Sequence, residues 1–230
     1  MKRIAIIPTI IIVGLTVSAC KKEPATVALE EMSTLALIEG AINSAIEAQS
    51  QNIPGNKKER KRWAESGIAY AERCIEVAPN TPDCYYWRAV NTGLYHSVKI
   101  VGYQRGIKQM ISDCNAVIAM GRETYDHAGP WRIQGQIFTK LPETGGRPDS
   151  LTRDLDKALT YLRRAVALAP GYPENHIALA EALYEEGEPD AARTELDVAK
   201  EKAPQWRDEA AYPEWKKTIA KLMKKIDKKK

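Results

Sequence analysis

Two prolines 34 residues apart, Pro170 and Pro204, close the same phrase, and this spacing constrains the fold more than any other feature. Ala165-Val-Ala-Leu-Ala-Pro170 and Ala199-Lys-Glu-Lys-Ala-Pro204 share an Ala-x4-Pro form, and Cys74-Ile-Glu-Val-Ala-Pro79 repeats it with cysteine as the small residue. Between the two prolines, Leu179, Ala180 and Leu183 make one face of a first helix. Gly187 and Pro189 break the chain, and Ala192, Leu196 and Ala199 line a second helix. A unit of this length is one pair of helices that cannot bury its apolar face alone, so units must stack. The small residues fall where helices cross closely, and each proline ends one helix and starts the next unit.

The spacing resembles the tetratricopeptide repeat (TPR). A second unit carries Trp131-x2-Gln134-Gly135-x2-Phe138, with Gln134 at the position where that family has leucine, and its partner helix holds Ala158, Leu162 and Ala165. A third, degenerate unit starts at Pro82, with Tyr85 and Ala89 in the Trp and Gly positions. The expected fold is all-α, a TPR-like solenoid of helical hairpins behind an N-terminal lipoprotein signal peptide, closed by a C-terminal capping helix. Apolar periodicity predicts a first helix near Val27–Gln51, with Ala28, Met32, Leu35, Ile42 and Ile46 as its buried stripe. A loop over 51–57 leads to a helix over about Arg60–Val77. Thr81 as N-cap and Pro82 at N1 open a third helix to about Ser97, and a fourth runs to about Met120. Helices near Gly129–Leu141 and Thr152–Leu168 follow, then the pair over 173–203, and Pro213 begins the cap. No stretch alternates with period two, so no sheet is expected. Gly135 and Ala158 lie 23 apart where a compact repeat would have twelve, so Pro142–Leu151 reads as an inserted surface loop.

The first residues are an address. Lys2 and Arg3 precede fourteen uncharged residues, Ile4–Val17, too few to span a bilayer but right for the core of a signal peptide. Val17-Ser18-Ala19-Cys20 resembles the lipobox of bacterial lipoproteins, which implies a lipid on Cys20 once residues 1–19 are removed. Lys21, rather than aspartate, implies the periplasmic side of the outer membrane. The chain divides into a signal peptide (1–19), a lipidated linker (20–26), the helical domain (27–204) and a capping helix with a basic tail (205–230). Without its signal peptide the chain has a net charge of +2. Eight lysines and one aspartate, Asp227, among the last fifteen residues leave the rest at −5. An envelope address excludes nucleic acid as a partner.

Some phrases go beyond a generic repeat. Cys84-Tyr-Tyr-Trp-Arg-Ala89 before Asn91-Thr-Gly93, Ala128-Gly-Pro-Trp-Arg132 before Gly135, and Ala169-Pro-x-Tyr-Pro-Glu-Asn175 sit together on a candidate lipoprotein. Over roughly residues 60–205 they look like the T-component family of TRAP (tripartite ATP-independent periplasmic) transporters. The resemblance implies a partnership with a periplasmic solute-binding protein, apolar or carboxylated organic ligands, and a possible homotrimer. A scaffold for another envelope protein is the alternative. By the TPR pattern the concave side carries Glu174, Ile177, Glu181 and Tyr184 in one unit. It carries Gly129, Arg132, Gln136 and Thr139 in the next, and Asp83, Tyr86, Val90 and Gly93 in the third. In this reading Arg132 meets an acidic group and Tyr86 an apolar part of the ligand.

Catalytic patterns are absent. His96, His127 and His176 have no second ligand at metal spacing, and the serines form no legible triad, so neither an enzyme, a metal nor a cofactor is expected. Lipidation of Cys20 leaves Cys74, Cys84 and Cys114. Three pairings are possible, and three reduced core thiols are the alternative. Cys74 lies in the last turns before Pro79 and Cys84 in the first turn after it, so a tight hairpin brings their β-carbons within disulfide reach. Cys74–Cys84 is therefore the expected pair, with Cys114 a buried small hydrophobe.

Overall fold

Prolines and glycines set the joints of this chain. The computed structural model describes residues 29–50, 56–98 and 102–228, and every regular element among them is helical. The elements are α1 (Thr34–Ser50), α2 (Lys57–Val77), α3 (Pro82–His96), α4 (Tyr103–Ala119) and α5 (Tyr125–Lys140). After them come α6 (Leu155–Leu168), α7 (Pro173–Glu186), α8 (Pro189–Lys202) and α9 (Tyr212–Asp227). The expected signal peptide, Cys20, the expected linker, Val27 and Ala28 of the expected first helix, and most of the first expected loop lie outside the described residues.

Each helix pairs with its neighbour as α1–α2, α3–α4, α5–α6 and α7–α8. The first helices of successive pairs also touch, α1 on α3 and α5 on α7, while α9 packs over α7 and α8. This is the all-α solenoid of helical hairpins that the repeat predicts. Pro82, Pro173 and Pro189 each start a helix, where the missing N–H would be unbonded in any case. Gly187 ends α7 at φ 95°, and the N–H of Glu188 reaches back to the Leu183 carbonyl at 2.9 Å. A residue with a β-carbon is disfavoured in that left-handed conformation. Gly135 serves close approach instead: a β-carbon there would overlap Leu162 and stand 3.2 Å from the Ala158 carbonyl oxygen. The main core runs from α3 to α9, with Leu162, Leu196 and Ile226 fully buried.

Three local expectations change. Thr81 precedes α3, but its side chain makes no capping bond. Asp154 does cap a helix, its carboxylate accepting from the Lys157 N–H at 2.9 Å, so α6 begins at Leu155 rather than Thr152. On α1 the buried face is Leu37, Ala41, Ser44, Ala45 and Ala48, whereas Leu35 is 65% and Ile46 51% exposed. Small side chains win that face because neighbouring helices approach closely. Gly40 packs under the Tyr70 ring, and Asn91 of α3 donates to the Ala41 carbonyl at 3.0 Å.

The inserted loop is tied down. The Gln104 side chain of α4 pairs with both backbone groups of Leu151 at 2.9 Å, and the Arg153 N–H donates to the Pro142 carbonyl at 2.8 Å. Leu141 and Pro142 are thereby held beside α4 and α5, where they border the site described next.

Candidate functional site: a groove along the first helices

A groove of about 760 Å³ runs between α1, α3, α4, α5 and the start of α7. Helical periodicity builds its long wall: Ile133, Gln136, Ile137 and Lys140 follow i, i+3, i+4, i+7 on α5 and all border it. Val90 and Leu94 of α3 and Ile107 and Met110 of α4 make the facing apolar wall, with Ala45 and Ile46 of α1 at one edge. At the other end Tyr86, Asp126, Arg132, Tyr172, Glu174 and Glu209 gather.

That polar end depends on a break in the helical period. Asp126, His127 and Ala128 adopt left-handed backbone angles, with φ of 47°, 54° and 64°, before right-handed helix resumes at Gly129. The turn docks on α3 through Tyr125, whose hydroxyl donates to Asp83 at 2.6 Å, and through Asp126, which accepts from the Tyr86 hydroxyl. Burial, and then the Asp126 carboxylate, hold the Tyr86 phenol well above its ordinary pKa, so it stays a donor. Gly129 lies under the same ring, where a β-carbon would meet the Tyr86 hydroxyl.

Arg132 holds the turn from behind. It is 4% exposed and donates to the Asp126 carboxylate at 2.8 Å, to the Asp126 and His127 carbonyls at 3.2 Å, and to Asn175 at 3.0 Å. Glu174 stands 3.7 Å from its Nε. Burial opposes the guanidinium charge, but Glu174, Tyr86 and Asp126 outweigh it and raise the pKa. The guanidinium also sits over the Tyr172 ring, 5.0 Å from its centre. Asn175, fully buried, donates to the carbonyls of His127, Ala165 and Ala169, stapling the turn to the α6–α7 joint.

Of the expected concave residues, the groove brings together Tyr86, Val90, Gly93, Arg132, Gln136 and Glu174. Thr139, Ile177, Glu181 and Tyr184 do not border it. Thr139 is buried and donates to the Gly135 carbonyl at 2.9 Å, and Ile177 belongs to the core. Glu181 pairs with Lys140 at 3.2 Å, and Tyr184 lies under Lys225 of α9. The roles given to Arg132 and Tyr86 also change. Arg132 cannot be a free anchor for an acidic ligand, because a buried cation must be compensated internally and this one is. Tyr86 is 2% exposed and engages Asp126 rather than presenting a free apolar face.

Reasoning from sequence missed Asp126, Tyr172 and Glu209. Tyr172 and Glu174 do stand in the quoted phrase before Asn175, which was a usable signal, whereas nothing local marks the left-handed turn. Elsewhere, Cys74 and Cys84 form a disulfide across the α2–α3 turn with Cα atoms 5.5 Å apart, and Cys114 is a buried free thiol. Among the described residues no helix is long and apolar enough to cross a membrane.

Comparison with known families places the repeat. Residues 152–222 match the tetratricopeptide repeat. Over this segment the chain is similar to TPR proteins. The match takes in α6, the α7–α8 hairpin and most of α9. TPR modules are in general protein-interaction surfaces without catalytic chemistry. No curated protein matches the chain.

Proposed function

We propose that this chain is a non-enzymatic docking protein, tethered through lipid on Cys20 to the periplasmic side of the outer membrane, whose groove receives part of a protein partner. The groove carries this reading. It is about 760 Å³, open along one side, apolar along its walls and polar at one end, the combination that anchors side chains and fixes their orientation. The partner we assign is the solute-binding subunit of a TRAP-type uptake system, on the strength of the family phrases around Tyr86, Arg132 and Asn175.

Cross-linking in intact cells, followed by mass spectrometry of what the anchored protein retains, tests this reading. Wild-type protein should recover a periplasmic solute-binding subunit, and Val90→Trp, which fills the groove, should not. Recovery that ignores the groove, or recovery only of envelope-assembly proteins, refutes the uptake assignment. The second outcome is the scaffold reading, which draws on the open side of the groove.

A further inference from the structure

The polar end of the groove carries an excess of negative charge. Asp126, Glu174 and Glu209 border it against one cation, Arg132, and Arg132 is spent on internal partners. Asp126, which borders the groove, uses one carboxylate oxygen, Oδ2, for both Tyr86 and Arg132, and its Oδ1 has no hydrogen-bond partner among the described residues. Its side chain is 34% exposed and that of Glu174 31%, so both carboxylates are reachable while the guanidinium behind them is not.

A second observation points the same way. Tyr172 is 93% buried and borders the groove, yet its hydroxyl has no hydrogen-bond partner among the described residues. Burial and the nearby Glu174 carboxylate raise its pKa, so the phenol remains neutral, with an oxygen able to accept from a cation. Three carboxylates and an unengaged hydroxyl at the polar end of an apolar groove make a socket for an ammonium or guanidinium group. An incoming carboxylate would meet like charge there.

We infer that the groove selects a partner segment in which a lysine or arginine side chain is flanked by apolar residues, the basic group seated among Asp126, Tyr172, Glu174 and Glu209 and the apolar side chains along Val90, Leu94, Ile133 and Ile137. This inference rests on the groove being a protein-docking site, and it reverses the charge preference that an accessible Arg132 would give.

The test pans a random peptide library on the purified full-length chain, with counter-selection on Val90→Trp and on a second groove-filling variant, Leu94→Trp. The expected result is groove-dependent enrichment of peptides with Lys or Arg beside apolar residues. Their affinity should fall about tenfold in Glu174→Gln/Glu209→Gln, a change of about 1.4 kcal/mol. Raising salt to about 1 M, where the screening length is about 3 Å, should narrow their advantage over norleucine-substituted versions. Groove-dependent peptides that are neutral or acidic, or binding indifferent to the double variant, overturn the charge inference and leave the docking groove standing. Absence of any groove-dependent peptide overturns the docking reading itself.

Discussion

Replacing Arg132 with alanine tests whether this residue is a recognition element or the keystone of a turn. Its guanidinium is 4% exposed and engages the Asp126 carboxylate, two backbone carbonyls and Asn175, with Glu174 close by. Removing one member of a buried ion pair costs about 3–5 kcal/mol, because the partner is left uncompensated. Asp126 and Glu174 are each about one third exposed, so water takes over part of their solvation. The expected loss is therefore about 3 kcal/mol, at the low end of that range. For a chain of this size that is a fall in Tm of about 6–12 °C. Urea unfolding followed by circular dichroism and by tryptophan fluorescence measures it. Trp206 reports locally, since it packs edge-on to His127 in the turn, 4.7 Å between ring centres. Arg132→Lys keeps the charge without the planar fork that reaches both carbonyls and the carboxylate, so it should recover less than half of the loss. A change under about 1 kcal/mol for Arg132→Ala, typical of an exposed ion pair, would refute the keystone role and return Arg132 to the surface.

Two further outcomes follow from pairs elsewhere in the solenoid. His176 is buried with Nδ1 2.6 Å from Glu195 and Nε2 2.8 Å from the Pro170 carbonyl, two acceptors for two nitrogens. Burial disfavours its charge, but these bonds outweigh burial and raise its pKa above the ordinary value. Its stabilisation is then complete below the unfolded pKa of about 6.5 and is lost as pH rises through the higher folded value. Stability of wild type relative to His176→Gln should decline across that window, and parallel pH profiles would remove the role. Cys74→Ser/Cys84→Ser opens a loop whose ends are ten residues apart, which on the chain-entropy model costs about 3 kcal/mol. Chemical denaturation of oxidised wild type against the double variant checks this, and equal midpoints would contradict it.

The parts of the fold governed by local rules were legible. Prolines at the starts of α3, α7 and α8, Gly187 after α7, and the small residues at 135, 158 and 165 each have a one-residue physical cause. They gave the hairpins and their order. Large aliphatics do not mark the buried face of α1. Close helix packing instead buried Ala41, Ala45 and Ala48 and left Leu35 and Ile46 outside. The inserted loop is legible from the repeat spacing, but its attachment to Gln104 joins residues 47 apart, which no local pattern encodes. The same holds for the site. The family pattern points to Tyr86, Val90, Gly93, Arg132, Gln136 and Glu174, which do surround one groove. It could not show that Arg132 is consumed from within, because that depends on Asp126 arriving through an irregular turn.

That turn explains why the groove has two chemically distinct ends. Left-handed backbone at three successive residues with β-carbons costs about 1–2 kcal/mol each, and such conformations persist only where the surroundings over-determine them. Here Arg132 and Asn175 bind the turn's carbonyls, and the His127 ring stacks on Tyr172 at 4.4 Å. Right-handed helix through residues 126–128 would lose those bonds and carry Asp126 away from Tyr86. Instead the helix starts late, at Gly129, in the register that turns Ile133, Gln136 and Ile137 to the groove. The apolar wall follows from the helical period and the acidic end from its interruption. Arg132 serves both, lying on the periodic helix while fixing the turn before it. The groove therefore depends on Arg132 for its shape, while its recognition chemistry is left to the carboxylates in front.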